Sequence, residues 1–233
     1  MRKALGSSLF LRDHMSLIKE SIQLLRKEFV LELRQRDAII GILLYVLSTV
    51  FIVYTSFIQE PGSVWNTLFW IIVLFASVNA IAKSFMQEAG NRQLYYYTLA
   101  NPSAIILSKI VYNILLLLVL TFLSYGAFSL VAGNPVKNYQ QFFIALFLGS
   151  IGFSITFTFV SAIASRARNS ATLLAILGFP LVIPILMTLI KLSANSLGLM
   201  QDTAVWKDML ILLSIDAILI SLAFVLFPFL WRD

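Results

Sequence analysis

Near the carboxyl end of the chain one aspartate, Asp216, interrupts an otherwise apolar run, and of all the side chains it is the best placed to do chemistry. Counted from about Met209, where the run begins, it lies roughly 10 Å along a helix that rises 1.5 Å per residue. An ionised carboxylate near the middle of a bilayer costs roughly 2.5–3.5 kcal/mol on insertion scales, so such a side chain faces protein or a wet cavity. It is either a contact for a substrate or proton, or a structural carboxyl bonded to Ser214, Asn79 or Asn113. Pro180 and Pro184 stand one turn apart in the run Phe179-Pro180-Leu181-Val182-Ile183-Pro184. Each lacks an N–H and crowds the carbonyl four residues back, which bends or opens a helix. The pair is either a hinge or a static kink satisfied by neighbouring helices.

Other chemistries lack their parts. His14 is the only histidine and lies in a polar amino-terminal stretch, so it reads as a solvated tail residue. Neither a Ser/His/Asp triad nor a multi-histidine metal site can be assembled around it. Cysteine is absent, which removes disulfides and thiolate metal ligands; no metal site is expected. No Gly-x-x-x-x-Gly-Lys-Ser/Thr occurs, so any dependence on ATP has to be borrowed from another protein. A membrane enzyme would need polar residues clustered at one membrane face, and a secondary transporter more ionisable residues deep in its spans than Asp216 alone.

The elements that must position these residues are membrane helices. The chain of 233 residues is 60% hydrophobic and 12% charged, against about 45–50% and about 25% in soluble domains; its mean hydropathy is +0.91. Six continuous apolar runs predict spans at about Ala38–Ile58, Trp65–Ala82, Ile110–Val131, Phe142–Ala164, Thr172–Ile190 and Met209–Leu230. A β-barrel would show alternating strands of roughly 9–11 residues instead. Ser150, Ser154, Thr158 and Ala162 recur every fourth residue in the fourth run, a spacing that lets two helix backbones approach closely, within the chain or between subunits. The turn at Gly133-Asn134-Pro135 ends the third run.

Before the first span, Ile18, Ile22, Leu25, Phe29 and Leu33 fall on one helical face opposite Lys19, Gln23, Arg26 and Lys27. A basic amphipathic helix of this kind either lies in the headgroup plane or packs against a soluble partner. The expected division is therefore a cytoplasmic tail with an amphipathic helix over residues 1–37, and a six-helix membrane domain over 38–233. Fourteen of the seventeen lysines and arginines fall on the amino-terminal side of this arrangement, which predicts that both termini are cytoplasmic. The net charge of +6 then serves anionic lipid and not nucleic acid. The polar island Lys83–Lys109, between spans two and three, falls on the same side and reads as a docking surface for a soluble partner.

Two stretches carry a likeness. Leu94-Tyr95-Tyr96-Tyr97-Thr98-Leu99-Ala100-Asn101-Pro102 with Ile105-Ile106-Leu107-Ser108-Lys109, and later Phe179-Pro180-Leu181-Val182-Ile183-Pro184-Ile185-Leu186, resemble the permease subunit of the cytochrome c maturation system, the heme exporter protein B family. Glu32-Leu33-Arg34 fits as well, and the likeness runs from about Phe29 to the end. The resemblance implies an all-α integral membrane fold of the ABC-2 exporter type, with six transmembrane helices, an interfacial elbow helix and a coupling helix between spans two and three. It implies a non-catalytic subunit in the bacterial inner membrane. Its partners would be an ABC ATPase subunit that binds the ATP, a haem-handling membrane protein, a haem chaperone and a second permease copy. Haem would be held through partners. On this analogy Glu88, Asn91, Arg92 and Gln93 lie at or beside the ATPase contact. The family's work is haem export or release of the haem-loaded chaperone; the competing reading is an ABC-2 permease for a lipid or glycan. Because the chain has no cysteine, a single one introduced at Arg92 tests the topology. Membrane-impermeant maleimide added to intact cells is expected to leave it unlabelled, and labelling from outside would reverse the assigned orientation.

Overall fold

Inside hydrocarbon a backbone has no water to bond, and the α-helix satisfies each N–H and C=O within its own segment. The computed structural model describes residues 17–31, 36–56, 62–81, 101–165, 170–200 and 205–232. Among these, the regular elements are helices: α1 (residues 17–31), α2 (Arg36–Ser56), α3 (Gly62–Ile81), α4 (Pro102–Ala132), α5 (Tyr139–Ala164), α6 (Ser170–Ser196) and α7 (Val205–Arg232). Large apolar side chains point outward from the bundle, among them Leu44 and Phe51 of α2, Ile183 and Met187 of α6, and Ile218 and Val225 of α7. So much exposed hydrocarbon suits a lipid surround.

Five helices, Gly62–Ile81, Pro102–Ala132, Tyr139–Ala164, Thr172–Ser196 and Val205–Phe229, are long and apolar enough to cross a membrane. For α2 the apolar stretch among the described residues is Ile40–Val53, shorter than the roughly 20 residues of a usual span. The structure thus supplies five candidate spans where the sequence predicts six.

Several helices outrun their apolar cores because their ends are capped. α4 begins at Pro102 and not near Ile110: Asn101 Oδ1 accepts from the Ser103 N–H at 3.0 Å, and proline occupies the first helical position. Its 31 residues span about 46 Å, so roughly 16 Å projects beyond a 30 Å hydrocarbon core. At the other end Gly133, at φ +78°, closes the helix where the turn was expected. α6 continues past Ile190 to Ser196, and α7 starts four residues before Met209, where Lys191 Nζ meets Asp208 Oδ1 at 3.0 Å.

α5 is the axis of the bundle. It is packed against α3, α4, α6 and α7, while α2 leans on α3 and α4 from outside. Small residues make this enclosure feasible. A Cβ on Gly149 would come within 2.7 Å of the Trp70 ring, and one on Gly152 within 3.2 Å of Ile185. The four-residue stripe faces α4: Ser150 Oγ donates to Thr121 Oγ1 at 3.2 Å, Ser154 Oγ to the Ile110 carbonyl at 3.3 Å, and Thr158 Oγ1 accepts from Asn113 Nδ2 at 2.8 Å. The contact that the sequence left open is therefore internal. Around Trp65 the bundle end is tied by rings and hydrogen bonds. Trp65 packs on Phe69 and Phe128, and its Nε1 donates to the Gly133 carbonyl at 3.0 Å. Trp70 Nε1 donates to Ser193 Oγ at 2.7 Å, and Asn66 Nδ2 to the Ile190 carbonyl at 2.8 Å.

Since the Trp70 ring lies against the Gly149 backbone, Gly149→Ala is expected to destabilise the bundle by about 1–3 kcal/mol through overpacking. Thermal unfolding of the purified variant in detergent measures this; an unchanged midpoint would show that the ring yields freely.

Candidate functional site

Of the residues that the sequence nominates, those described, Pro180, Pro184 and Asp216, are not brought together in one site. Glu88, Asn91, Arg92 and Gln93 lie outside the described residues. What the structure provides is the pair of helix ends from which their segment departs: α3 finishes on a fully buried Ile81, and α4 starts at the Asn101 cap.

That start is clasped by α1. Glu20 Oε1 accepts from the Asn101 N–H at 2.8 Å, so a second acceptor joins the cap of α4 where helix N–H groups lack partners. Eight residues along both helices, Lys109 Nζ meets Glu28 Oε1 at 3.3 Å. Phe29 completes the contact edge-on to Tyr112, with ring centroids 5.2 Å apart. The equal spacing means that α1 runs alongside the first turns of α4 in the same direction. Lys109, counted from the sequence among the charges of a polar island, is 1% exposed.

The faces of α1 differ from the two-sided helix read from its sequence. Ser21, Leu24 and Glu28 turn toward the bundle, whereas Ile18, Ile22 and Phe29 are exposed on a second face and Lys19, Gln23 and Arg26 on a third. The missed signal is the pair Glu20 and Glu28 in an otherwise basic helix, spaced as Asn101 and Lys109 are.

Asp216 is buried, and among the described residues neither carboxyl oxygen has a hydrogen-bond partner. The partners considered from sequence are engaged elsewhere: Ser214 Oγ donates to the Leu210 carbonyl, Asn79 Nδ2 to the Phe75 carbonyl, and Asn113 Nδ2 to Thr158. What does touch Asp216 is backbone, for a Cβ added to Gly152 of α5 would sit 2.9 Å from Oδ1. A neutral polar group left in this condition destabilises by about 1–3 kcal/mol. Pro180 and Pro184 lie inside α6, which continues through both, and both sit on its exposed face beside Phe179 and Ile183. The backbone that lacks their N–H groups is thus away from the Gly152–Asp216 contact, and the structure does not join the prolines and Asp216 into one site. Among the described residues no group of three or more His, Cys, Asp or Glu could hold a metal ion.

Helices of this length, with greasy outer faces and polar groups committed to holding their neighbours, define a multi-pass, all-α integral membrane protein. Within that class, residues 19–229 match the family described as CcmB protein, and the chain belongs to that family, heme exporter protein B. Its members are permease subunits of an ABC haem exporter complex in cytochrome c maturation. Among curated proteins the chain finds no match.

If the clasp is an interaction and not mere proximity, Glu28→Gln and Lys109→Met each lower stability by about 1–3 kcal/mol. Combined, they are expected to cost less than the sum of the two by at least about 0.5 kcal/mol. A double-mutant cycle on thermal unfolding reads this coupling, and strict additivity would refute it.

Proposed function

We propose that this chain is the non-catalytic membrane subunit through which ATP hydrolysis on a separate ABC ATPase drives haem export, or release of a haem-loaded chaperone, during cytochrome c maturation. Family membership over residues 19–229 is the observation that carries this reading. The geometry supports it at one place. In sequence, the segment holding Glu88, Asn91, Arg92 and Gln93 joins α3 to α4, and α4 begins with a clasped base. A push on that segment would be delivered to a helix end already fixed in direction. Arg92 is assigned to the ATPase contact, with Glu88, Asn91 and Gln93 beside it.

In this reading α2 is the sixth span, and α1 is the elbow. Its three faces suit three surroundings at a membrane surface: protein toward α4, acyl chains against Ile18, Ile22 and Phe29, headgroups and water against Lys19 and Arg26. The protein is placed in the bacterial inner membrane with both termini in the cytoplasm, 1–37 forming the tail and elbow and 38–233 the membrane domain. Its partners are the ATPase, a haem-handling membrane protein, the haem chaperone, lipid and a second permease copy; haem and ATP are held by those partners. Pro180 and Pro184 supply the bend in α6 at which its exposed face adjusts.

Affinity purification in mild detergent tests the assignment. An ATPase and a haem-binding membrane protein are expected to co-elute with the wild-type chain, and Arg92→Glu to reduce ATPase recovery by about tenfold, the equivalent of about 1.4 kcal/mol, while membrane insertion is unchanged. Purification as a lone, ATP-independent transporter would overturn the function; undiminished ATPase recovery would remove Arg92 from the contact.

A further inference from the structure

Asp216 has a use that neither packing nor partner docking absorbs. Its side chain is 3% exposed and accepts nothing, while each neighbouring helix presents it with groups that cannot help. From α5 comes the Gly152 backbone, whose carbonyl already accepts from Thr156 Oγ1 at 2.7 Å. From α6 comes Ile185, fully buried. The titratable groups of the surrounding helices are all employed at a distance. On α5 the only one is Tyr139, near Asn134; on α6 the only one is Lys191, ion-paired with Asp208. On α4 they are Lys109 on Glu28, Tyr112 on Phe29 and Tyr125 in the aromatic cluster. On α7 itself, Lys207, Asp208 and Arg232 stand at the two ends.

No cation therefore faces this carboxyl among the described residues, and no donor does. An ionised carboxylate in such a place needs a counter-charge or water, whereas a carboxylic acid needs neither to remain. We propose that Asp216 is a proton-binding site of the membrane domain. It keeps its proton while Gly152 and Ile185 close the seam between α5, α6 and α7, and it releases that proton to water only when the seam parts. The transfer is complete in itself: the O–H bond of the acid breaks, the proton passes to entering water, and the electron pair stays on the carboxylate. The site does not depend on which partner drives the chain.

Dicyclohexylcarbodiimide tests this, because it dissolves in hydrocarbon and adds to a carboxylic acid, which rearranges to a stable acylurea with no further reactant. The intact complex in native membranes is treated with it, and peptides of this chain are followed by mass spectrometry. Asp216 is expected to gain one carbodiimide at least about tenfold faster than Asp208, which lies on the same helix but is ion-paired with Lys191. Asp216→Asn is expected to abolish the label; should that variant fail to fold, Asp216→Glu retains a carboxyl and is expected to retain the label. A wild-type Asp216 that stays unmodified or reacts no faster than Asp208 would overturn the proposal. Co-purification of the ATPase is read separately, so loss of one result leaves the other standing.

Discussion

In a bilayer, water does not drive two helices together. A helix enclosed on every side must be held by close backbone approach and by hydrogen bonds that lipid cannot supply. α5 is such a helix, and the shapes of its neighbours follow from that. Gly149 admits the Trp70 ring, Gly152 admits Ile185 and Asp216, and the hydroxyls of Ser150, Ser154 and Thr158 make their contacts with α4. A larger residue at either glycine would displace an aromatic ring or a buried carboxyl, not the loose end of a surface chain. Hence the bundle is specified more by what α5 lacks in volume than by what it adds in hydrophobicity, which the lipid already provides.

Polar groups inside this bundle serve different ends: some, such as Ser77 and Thr156, bond a carbonyl of their own helix. Others fasten helices: Asn66, Trp70 and Ser193 join α3 to α6, Asn113 and Thr158 join α4 to α5, and Gln141 reaches the Leu192 carbonyl on α6. Asp216 fastens nothing. Because unsatisfied buried groups are few in folded chains and costly here, one that persists beside a glycine is better explained by a second arrangement of the same helices than by neglect. The seam of α5, α6 and α7 is where such an arrangement would relieve it.

Hydropathy marked the apolar runs that five long membrane-crossing helices occupy, since such runs reflect the hydrocarbon directly. The turn at Gly133 was equally plain. Helix ends beyond the lipid were harder to read, because they rest on contacts remote in sequence. Pro102 starts α4 partly because Glu20, 81 residues away, accepts from Asn101. Lys109 looked like a solvated cation for the same reason: its partner Glu28 is as far off in the chain. The periodicity of α1 was correctly seen as amphipathic, yet two faces cannot be told from three until the neighbouring helix is known. For Asp216 the sequence showed an acid within an apolar run, while its isolation emerged only once Ser214, Asn79 and Asn113 were seen to be engaged with other acceptors.

The two ends of the bundle are held by different means. Around Trp65 the ties are many and short: Trp65 to Gly133, Lys137 and Asn138 N–H groups to the Ser196 carbonyl, Lys191 to Asp208. Breaking one leaves the others in place. Around Asn101 the first turns of α4 are held to α1 by Glu20 and Glu28, with Phe29 against Tyr112. α4 is thus tied by several short bonds at one end and held to α1 by charge and a ring contact at the other. Under the proposed function, the segment around Arg92 enters α4 at that end. On that reading, a displacement there would pass along α4 to its hydrogen-bonded contacts with α5 at Asn113, Ser154 and Ser150, and through α5 to Gly152, beside the carboxyl of Asp216.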